Sequence, residues 1–68
     1  MKYEIIGREG RYLRIKALID IPCHGVKAGD LGGLIQSGKN LSNVGNCWIH
    51  KNSIVVGDKT VVGDIYYK

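Results

Sequence analysis

The last third of the sequence repeats every six residues, and this period constrains the fold more than any other feature. In frames of six, residues 43–66 read NVGNCW, IHKNSI, VVGDKT and VVGDIY. The first column is apolar after the opening frame, the third is glycine in three of the four frames, and the fourth is always Asn or Asp. A fixed short period is typical of a coiled β-solenoid, in which each unit supplies one short strand and one corner.

The columns of the repeat predict which side chains face the interior. We expect Val55 and Val61 to point inward and to stack, whereas Val56 and Val62 point outward. Lys59 falls in a column expected to be interior, where a buried charge would lack a partner, so we expect that corner to open to solvent. The alternative is two ordinary hairpins whose Gly-Asp turns fall six residues apart by chance.

The length of the chain limits what the repeat can build alone. With 68 residues the chain is near the lower size for one self-sufficient hydrophobic core, and four frames make little more than one coil. A solenoid usually needs roughly three stacked units, so its open ends require cover. We expect the N-terminal segment and self-association to provide it together. The predicted homo-oligomer is a dimer or trimer joined around Trp48, Ile54, Val56 and Val62.

The rest of the chain shows strands and turns but no convincing helix. Within residues 1–19, strand-like runs of apolar and polar residues are typical of a β-hairpin with its turn in residues 7–11. Pro22 and Gly25 then break the pattern and predict a loop. Residues 31–35 form a short apolar strand whose glycines allow close backbone packing.

The predicted fold is therefore all-β: an N-terminal β-hairpin cap followed by a short hexapeptide-repeat segment resembling a left-handed β-helix. We predict a single domain over residues 1–68, with the β-rich cap in residues 1–40 and the repeat segment in residues 41–68. No signal peptide and no run of about 18 apolar residues is present, so we expect a cytoplasmic protein without a membrane partner.

Four motifs in this order resemble a known group of proteins. They are YLRIKAL at 12–18, GDLGGLI at 29–35, KNLS at 39–42 and GNCWI at 45–49, followed by Val-x-Gly-Asp hexads. The stretch from residue 12 to residue 64 is similar to small bacteriophage and prophage proteins of the hexapeptide-repeat, polymer-forming type. The resemblance implies a left-handed β-helix preceded by a β-rich cap. The host of such a phage would be bacterial.

Many hexapeptide-repeat proteins are acyltransferases that use a histidine as general base, and His50 is the one candidate of that sort here. No orienting carboxylate is visible in the sequence, so we favour a packed or solvent-facing histidine. We predict no catalytic residue, no cofactor and no enzyme activity, with a vestigial acyltransferase as an alternative.

Two cysteines and two histidines raise the question of a metal site. Cys23, His24, Cys47 and His50 could offer four ligands to zinc, but their spacing matches no strong zinc-finger pattern. Cys47 fits an interior column, and free Cys commonly behaves as a small hydrophobe. We predict no metal, and a disulfide is not expected in a reducing cytoplasm.

Charge points to a partner. Ten Lys and Arg against six Asp and Glu give a net charge of +4, with a basic cluster in the predicted hairpin. Such a cluster could contact nucleic acid, an anionic nucleotide or an acidic protein surface, or it could only keep a sheet edge soluble. The predicted partner-binding residues are Arg8, Arg11, Arg14, Lys16, Trp48, Tyr66 and Tyr67.

The sequence thus predicts a protein that functions through binding. Together with the resemblance, the expectation is a phage-encoded protein that engages a host protein or nucleoprotein complex, such as an inhibitor of a CRISPR effector. The alternative is a protein that binds an anionic nucleotide or signalling molecule in a cleft between subunits.

Overall fold

Six strands form the regular structure of the chain in the computed structural model, which describes residues 1–68. The strands are β1 (Tyr3–Glu9), β2 (Tyr12–Ala17), β3 (Leu31–Ile35), β4 (Trp48–Ile49), β5 (Ile54–Val55) and β6 (Tyr66–Tyr67). Two short 3₁₀ turns lie at Pro22–His24 and Gly38–Asn40, and there is no α-helix. The predicted all-β fold class is confirmed. No helix in the structure has the length and apolar composition that crossing a membrane requires.

A four-stranded sheet has the order β1, β2, β3, β5. The first two strands form the predicted hairpin, and its turn is confined to Gly10 and Arg11. Gly10 has a φ of 66°, a left-handed conformation that favours glycine. The third strand pairs antiparallel with β2 and parallel with β5, so it joins the hairpin to the repeat segment.

Three parallel pairings relate two successive passes of the chain. Leu34 pairs with Ile54 and Leu41 pairs with Val61, each 20 residues apart, whereas Trp48 pairs with Tyr66, 18 residues apart. We call residues 33–50 the first pass and residues 53–68 the second pass. Neither sheet closes on itself, so the structure establishes an all-β fold with parallel stacking rather than a complete left-handed β-helix.

The buried side chains of the second pass are those that the six-residue period predicts to point inward. Val55 and Val61 are 1% and 2% exposed, and each is in register with a buried residue of the first pass, Ile35 and Leu41 respectively. The neighbouring Val56 and Val62 are 45% and 47% exposed. The predicted contrast between inward and outward columns is confirmed.

Lys59 lies on the surface, as expected from the cost of burying its charge. Its Nζ lies 5.2 Å from the centroid of the Tyr67 ring. Since Tyr67 is in register with the buried Ile49, its ring continues an interior column, and the lysine contacts it in a cation–π arrangement.

Trp48 belongs to the core, which corrects its predicted role as a contact for a partner or a second copy. The side chain is 1% exposed. A Cβ on Gly32 would lie 2.7 Å from both Trp48 Cζ2 and Ile15 Cγ1, so the missing side chain makes room for the indole beside β2. Packing against the hairpin therefore removes this aromatic ring from the surface.

The N-terminal residues cover the first pass, as the sequence predicts for the cap. Lys2 is 3% exposed, and its Nζ donates to the Cys47 carbonyl at 2.7 Å and to Cys47 Sγ at 3.0 Å. The Tyr3 hydroxyl donates to the carbonyl of Leu41 at 3.0 Å. Burial raises the pKa of the Tyr3 phenol, and the nearby Cys47 raises it further.

Candidate binding site

The predicted basic cluster of the hairpin is only partly available to a partner, because Arg14 is held by other groups. Its Nε and Nη2 donate to the two carboxylate oxygens of Glu9, each at 2.8 Å. Its Nη1 donates to the carbonyls of Gly32 at 2.9 Å and Lys51 at 2.7 Å. The bonds to Glu9 lower the pKa of its carboxyl. The bonds to the two carbonyls join the hairpin to β3 and to the turn between β4 and β5.

The other three basic side chains do not form one patch with it. Lys16 shares the Arg14 face of β2 and pairs with Glu4 at 3.6 Å. Arg8 is opposite Leu13 in the register, which places it on the other face of the hairpin, and Arg11 lies in the turn. Of the four predicted basic residues, only Arg8 and Arg11 are exposed without an ion pair, so the cationic surface of the hairpin is smaller than predicted.

The second pass also exposes apolar side chains, which are a second candidate for contact with a partner. Four aliphatic side chains of this pass are between 44% and 52% exposed. We call them the apolar row, after their succession along the chain: Ile54, Val56, Val62 and Ile65. The strands beside this row, β5 and β6, each pair on one side only, so their outer edges carry no partner strand. Exposed apolar side chains beside unpaired strand edges are typical of surfaces that contact other chains.

A third surface is a cleft of about 430 Å³ between the cap and the two passes. The loop after β2 contributes His24 and Asp30, the end of the first pass contributes His50, the turn that follows contributes Lys51, and the second pass contributes Tyr66. The His24 and Tyr66 rings are stacked with centroids 5.0 Å apart and an interplanar angle of 17°. The cleft therefore unites side chains from distant parts of the sequence.

Of the predicted aromatic residues Tyr66 and Tyr67, only Tyr66 lines the cleft. Both are half-buried and pack against the core. The His50 ring centroid is 6.1 Å from that of Tyr66, and His50 Nδ1 accepts a hydrogen bond from the Asn52 backbone N–H at 3.1 Å. Sequence reasoning weighed His24 and His50 as metal ligands or a base, and it missed their shared contact with Tyr66.

The sulfur ligands considered for zinc lie in different environments. Cys23 is exposed in the loop and Cys47 is buried beneath Lys2, and both thiols are free. The structure contains no group of three or more His, Cys, Asp or Glu side chains placed to hold a metal ion.

Comparison of the chain with protein-family models, with curated proteins and with solved structures finds no match.

Proposed function

We propose that this chain is a non-catalytic binding protein that engages a protein partner through the apolar row. The observation that carries the proposal is the exposure of four aliphatic side chains beside two strands with unpaired edges. Apolar contact area is the main favourable term in most protein association, and an unpaired strand edge adds backbone hydrogen bonds to it.

The spacing of the parallel pairings supports a more specific description of this segment. A separation of 18 residues between Trp48 and Tyr66 equals three frames of the six-residue period, and the other pairings differ from it by two residues. We therefore propose that the two passes are successive turns of a left-handed hexapeptide-repeat coil. The apolar row would then lie on its outer surface.

The most concrete form of the proposal is a phage-encoded protein that acts in the cytoplasm of a bacterial host on a host factor, such as a CRISPR effector. What supports it is the resemblance of residues 12–64 to small phage and prophage proteins.

The test is capture of host proteins from a bacterial lysate by the wild-type chain and by two double variants. Val56→Lys with Val62→Lys places charges in the apolar row, and we expect it to abolish capture of a specific partner. Arg8→Glu with Arg11→Glu changes the exposed cations of the hairpin and should leave capture intact. Purified partner and chain should then bind with little dependence on salt, because the contact is apolar. Capture that fails only with the arginine variant would refute the assignment to the apolar row.

Self-association is a second use of the same row, and we propose a homodimer or homotrimer through Ile54, Val56 and Val62. Light scattering at tens of micromolar distinguishes the outcomes. A mass above that of one chain that falls to the monomer value in the Val56→Lys, Val62→Lys variant supports the proposal. A strictly monomeric wild-type mass would show that the cap closes the core without a second copy.

A further inference from the structure

We propose that the cleft between the cap and the two passes binds a small planar anion, with a nucleoside monophosphate as the ligand class that fits its chemistry. The site lies within one chain and is separate from the apolar row. Ligand binding in the cleft and partner binding at the apolar row can therefore be tested independently.

The aromatic side of the cleft provides surfaces on which a base can stack. His24 and Tyr66 already form a stacked pair, and the His50 ring is tilted by 58° toward the same tyrosine. Stacking of one base on an aromatic side chain is favourable and tolerates different bases, because every base has a π-face. Three rings around one cleft thus favour a planar ligand over a flexible aliphatic one.

The charged side of the cleft favours an anion. Lys51 lines it, and the Nζ of Lys68 lies 5.7 Å from the Tyr66 ring centroid. Asp30 is the one carboxylate in the lining, and its Oδ2 accepts a hydrogen bond from the Lys27 backbone N–H at 3.0 Å. Lys51 offsets Asp30 within the lining, and the Lys68 ammonium beside the Tyr66 ring adds a positive charge near the cleft, which suits a phosphate group.

The two imidazoles supply polar atoms that the protein leaves unused. Because His50 Nδ1 accepts from the Asn52 backbone, its Nε2 is the nitrogen left to donate to a phosphate oxygen. His24 Nε2 is buried without a hydrogen-bond partner, which is unfavourable because the atom has lost its contact with water. A small movement of the His24 ring toward a ligand atom would relieve that cost.

The size of the cleft limits the ligand to one nucleotide. Its volume of about 430 Å³ is near the lower end of the range of about 300–1,000 Å³ that small-molecule sites usually occupy. The cleft is open to solvent on one side, so we expect weak binding in the micromolar to millimolar range.

The test is a titration of the isotope-labelled protein by NMR with adenosine monophosphate, adenosine and inorganic phosphate. We expect the monophosphate to shift the amide signals of His50, Lys51 and Tyr66, and to bind at least about fivefold more tightly than adenosine or phosphate alone. Lys51→Gln should weaken binding about two- to fivefold, since an exposed ion pair contributes modestly. Tyr66→Leu should weaken it about fivefold or more through loss of stacking.

The matched control is Arg11→Gln, which removes the same charge at the hairpin turn, outside the lining of the cleft, and should leave the dissociation constant unchanged. Equal weakening by Arg11→Gln and Lys51→Gln would refute the site, because binding would then follow net charge alone. Equal affinity for phosphate and the monophosphate would refute a planar ligand, and so would the absence of shifts with the monophosphate at millimolar concentration. If Tyr66→Leu does not fold, Lys51→Gln and its control decide the outcome, because the Lys51 side chain is exposed.

Discussion

The hairpin and the second pass reach order by different means. β1 has seven residues and buries only Tyr3, so it is held mainly by its backbone ladder to β2. β5 has two residues, yet one of them, Val55, is almost completely buried. A typical hydrogen bond contributes about 0.5–1.5 kcal/mol net, whereas a fully buried aliphatic side chain contributes about 1.5–3 kcal/mol. Strand length is therefore a poor guide to where this fold is most sensitive.

The largest expected effect tests the interior column against its neighbour. Val55→Asp would bury a charge without a partner, and we expect a loss of more than about 3 kcal/mol or complete unfolding. Val56→Asp lies on the surface and should change the free energy of unfolding by about 0.5–1 kcal/mol at most. Urea denaturation followed by circular dichroism measures both. Equal losses would mean that the inward and outward columns are not distinguished in solution.

Two glycines in strands test the same comparison at the backbone. A Cβ on Gly33 of β3 would lie 2.5 Å from the Ser53 carbonyl oxygen and 2.7 Å from that of His50, so Gly33→Ala should cost about 1–3 kcal/mol or more. A Cβ on Gly7 of β1 would meet nothing within 4 Å, so Gly7→Ala should be neutral or stabilise by up to about 1 kcal/mol. Thermal melting of both variants checks this, and a similar loss at Gly7 would show that the hairpin is packed as closely as the repeat segment.

Arg14 connects the two regions, so replacing it should destabilise the fold more than replacing a basic neighbour on the same strand. Arg14→Gln removes hydrogen bonds to Glu9 and to two backbone carbonyls, and we expect a loss of about 1–2 kcal/mol. Lys16→Gln removes one ion pair at 3.6 Å and should cost no more than about 0.5 kcal/mol. Chemical denaturation at neutral pH compares them. Equal costs would indicate that the carbonyl contacts of Arg14 contribute nothing measurable.

The acid dependence of stability should reveal the same connection. Arg14 lowers the pKa of Glu9 in the folded chain below the ordinary value of 4.5. A lowered folded pKa stabilises the fold above the unfolded pKa, and this contribution disappears as the pH falls through the folded value. Wild type should therefore be more stable than Glu9→Gln at neutral pH and should lose that advantage in acid. A stability difference between wild type and Glu9→Gln that stays constant from neutral pH to acid would contradict this prediction.

The smallest expected effect concerns the two unpaired arginines of the hairpin. Arg8→Glu with Arg11→Glu should change the melting temperature very little, because exposed charges contribute little to folding. Differential scanning calorimetry at two salt concentrations measures the change. A substantial destabilisation would show that these side chains have a structural contact in solution, as Arg14 does.

The sequence was most informative where the relevant contacts repeat locally. The inward positions of Val55 and Val61 follow from the six-residue period alone, since the pairing of one pass with the next preserves the columns. The hairpin follows from alternation and a Gly-containing turn. Both inferences need only the order of neighbouring residues and the six-residue period.

Contacts between distant segments could not be predicted in the same way. The residues that His24 contacts depend on how the loop after β2 folds back. No local sequence pattern therefore predicts its stacking on Tyr66. A lysine is expected in solvent, yet three sulfur or oxygen acceptors surround the Lys2 ammonium. For Trp48 the decisive feature was the space left by Gly32, which becomes visible only when β2, β3 and β4 are assembled.

The attachment of Lys2 also sets an order of events during synthesis. Its acceptors at Gly45 and Cys47 are synthesised 43 and 45 residues later. The hairpin can form early from local contacts, whereas the apolar side of β2 must wait for Trp48 to emerge. Since contacts between distant residues slow folding, the nascent chain should expose Ile15 and Ala17 until Trp48 has left the ribosome.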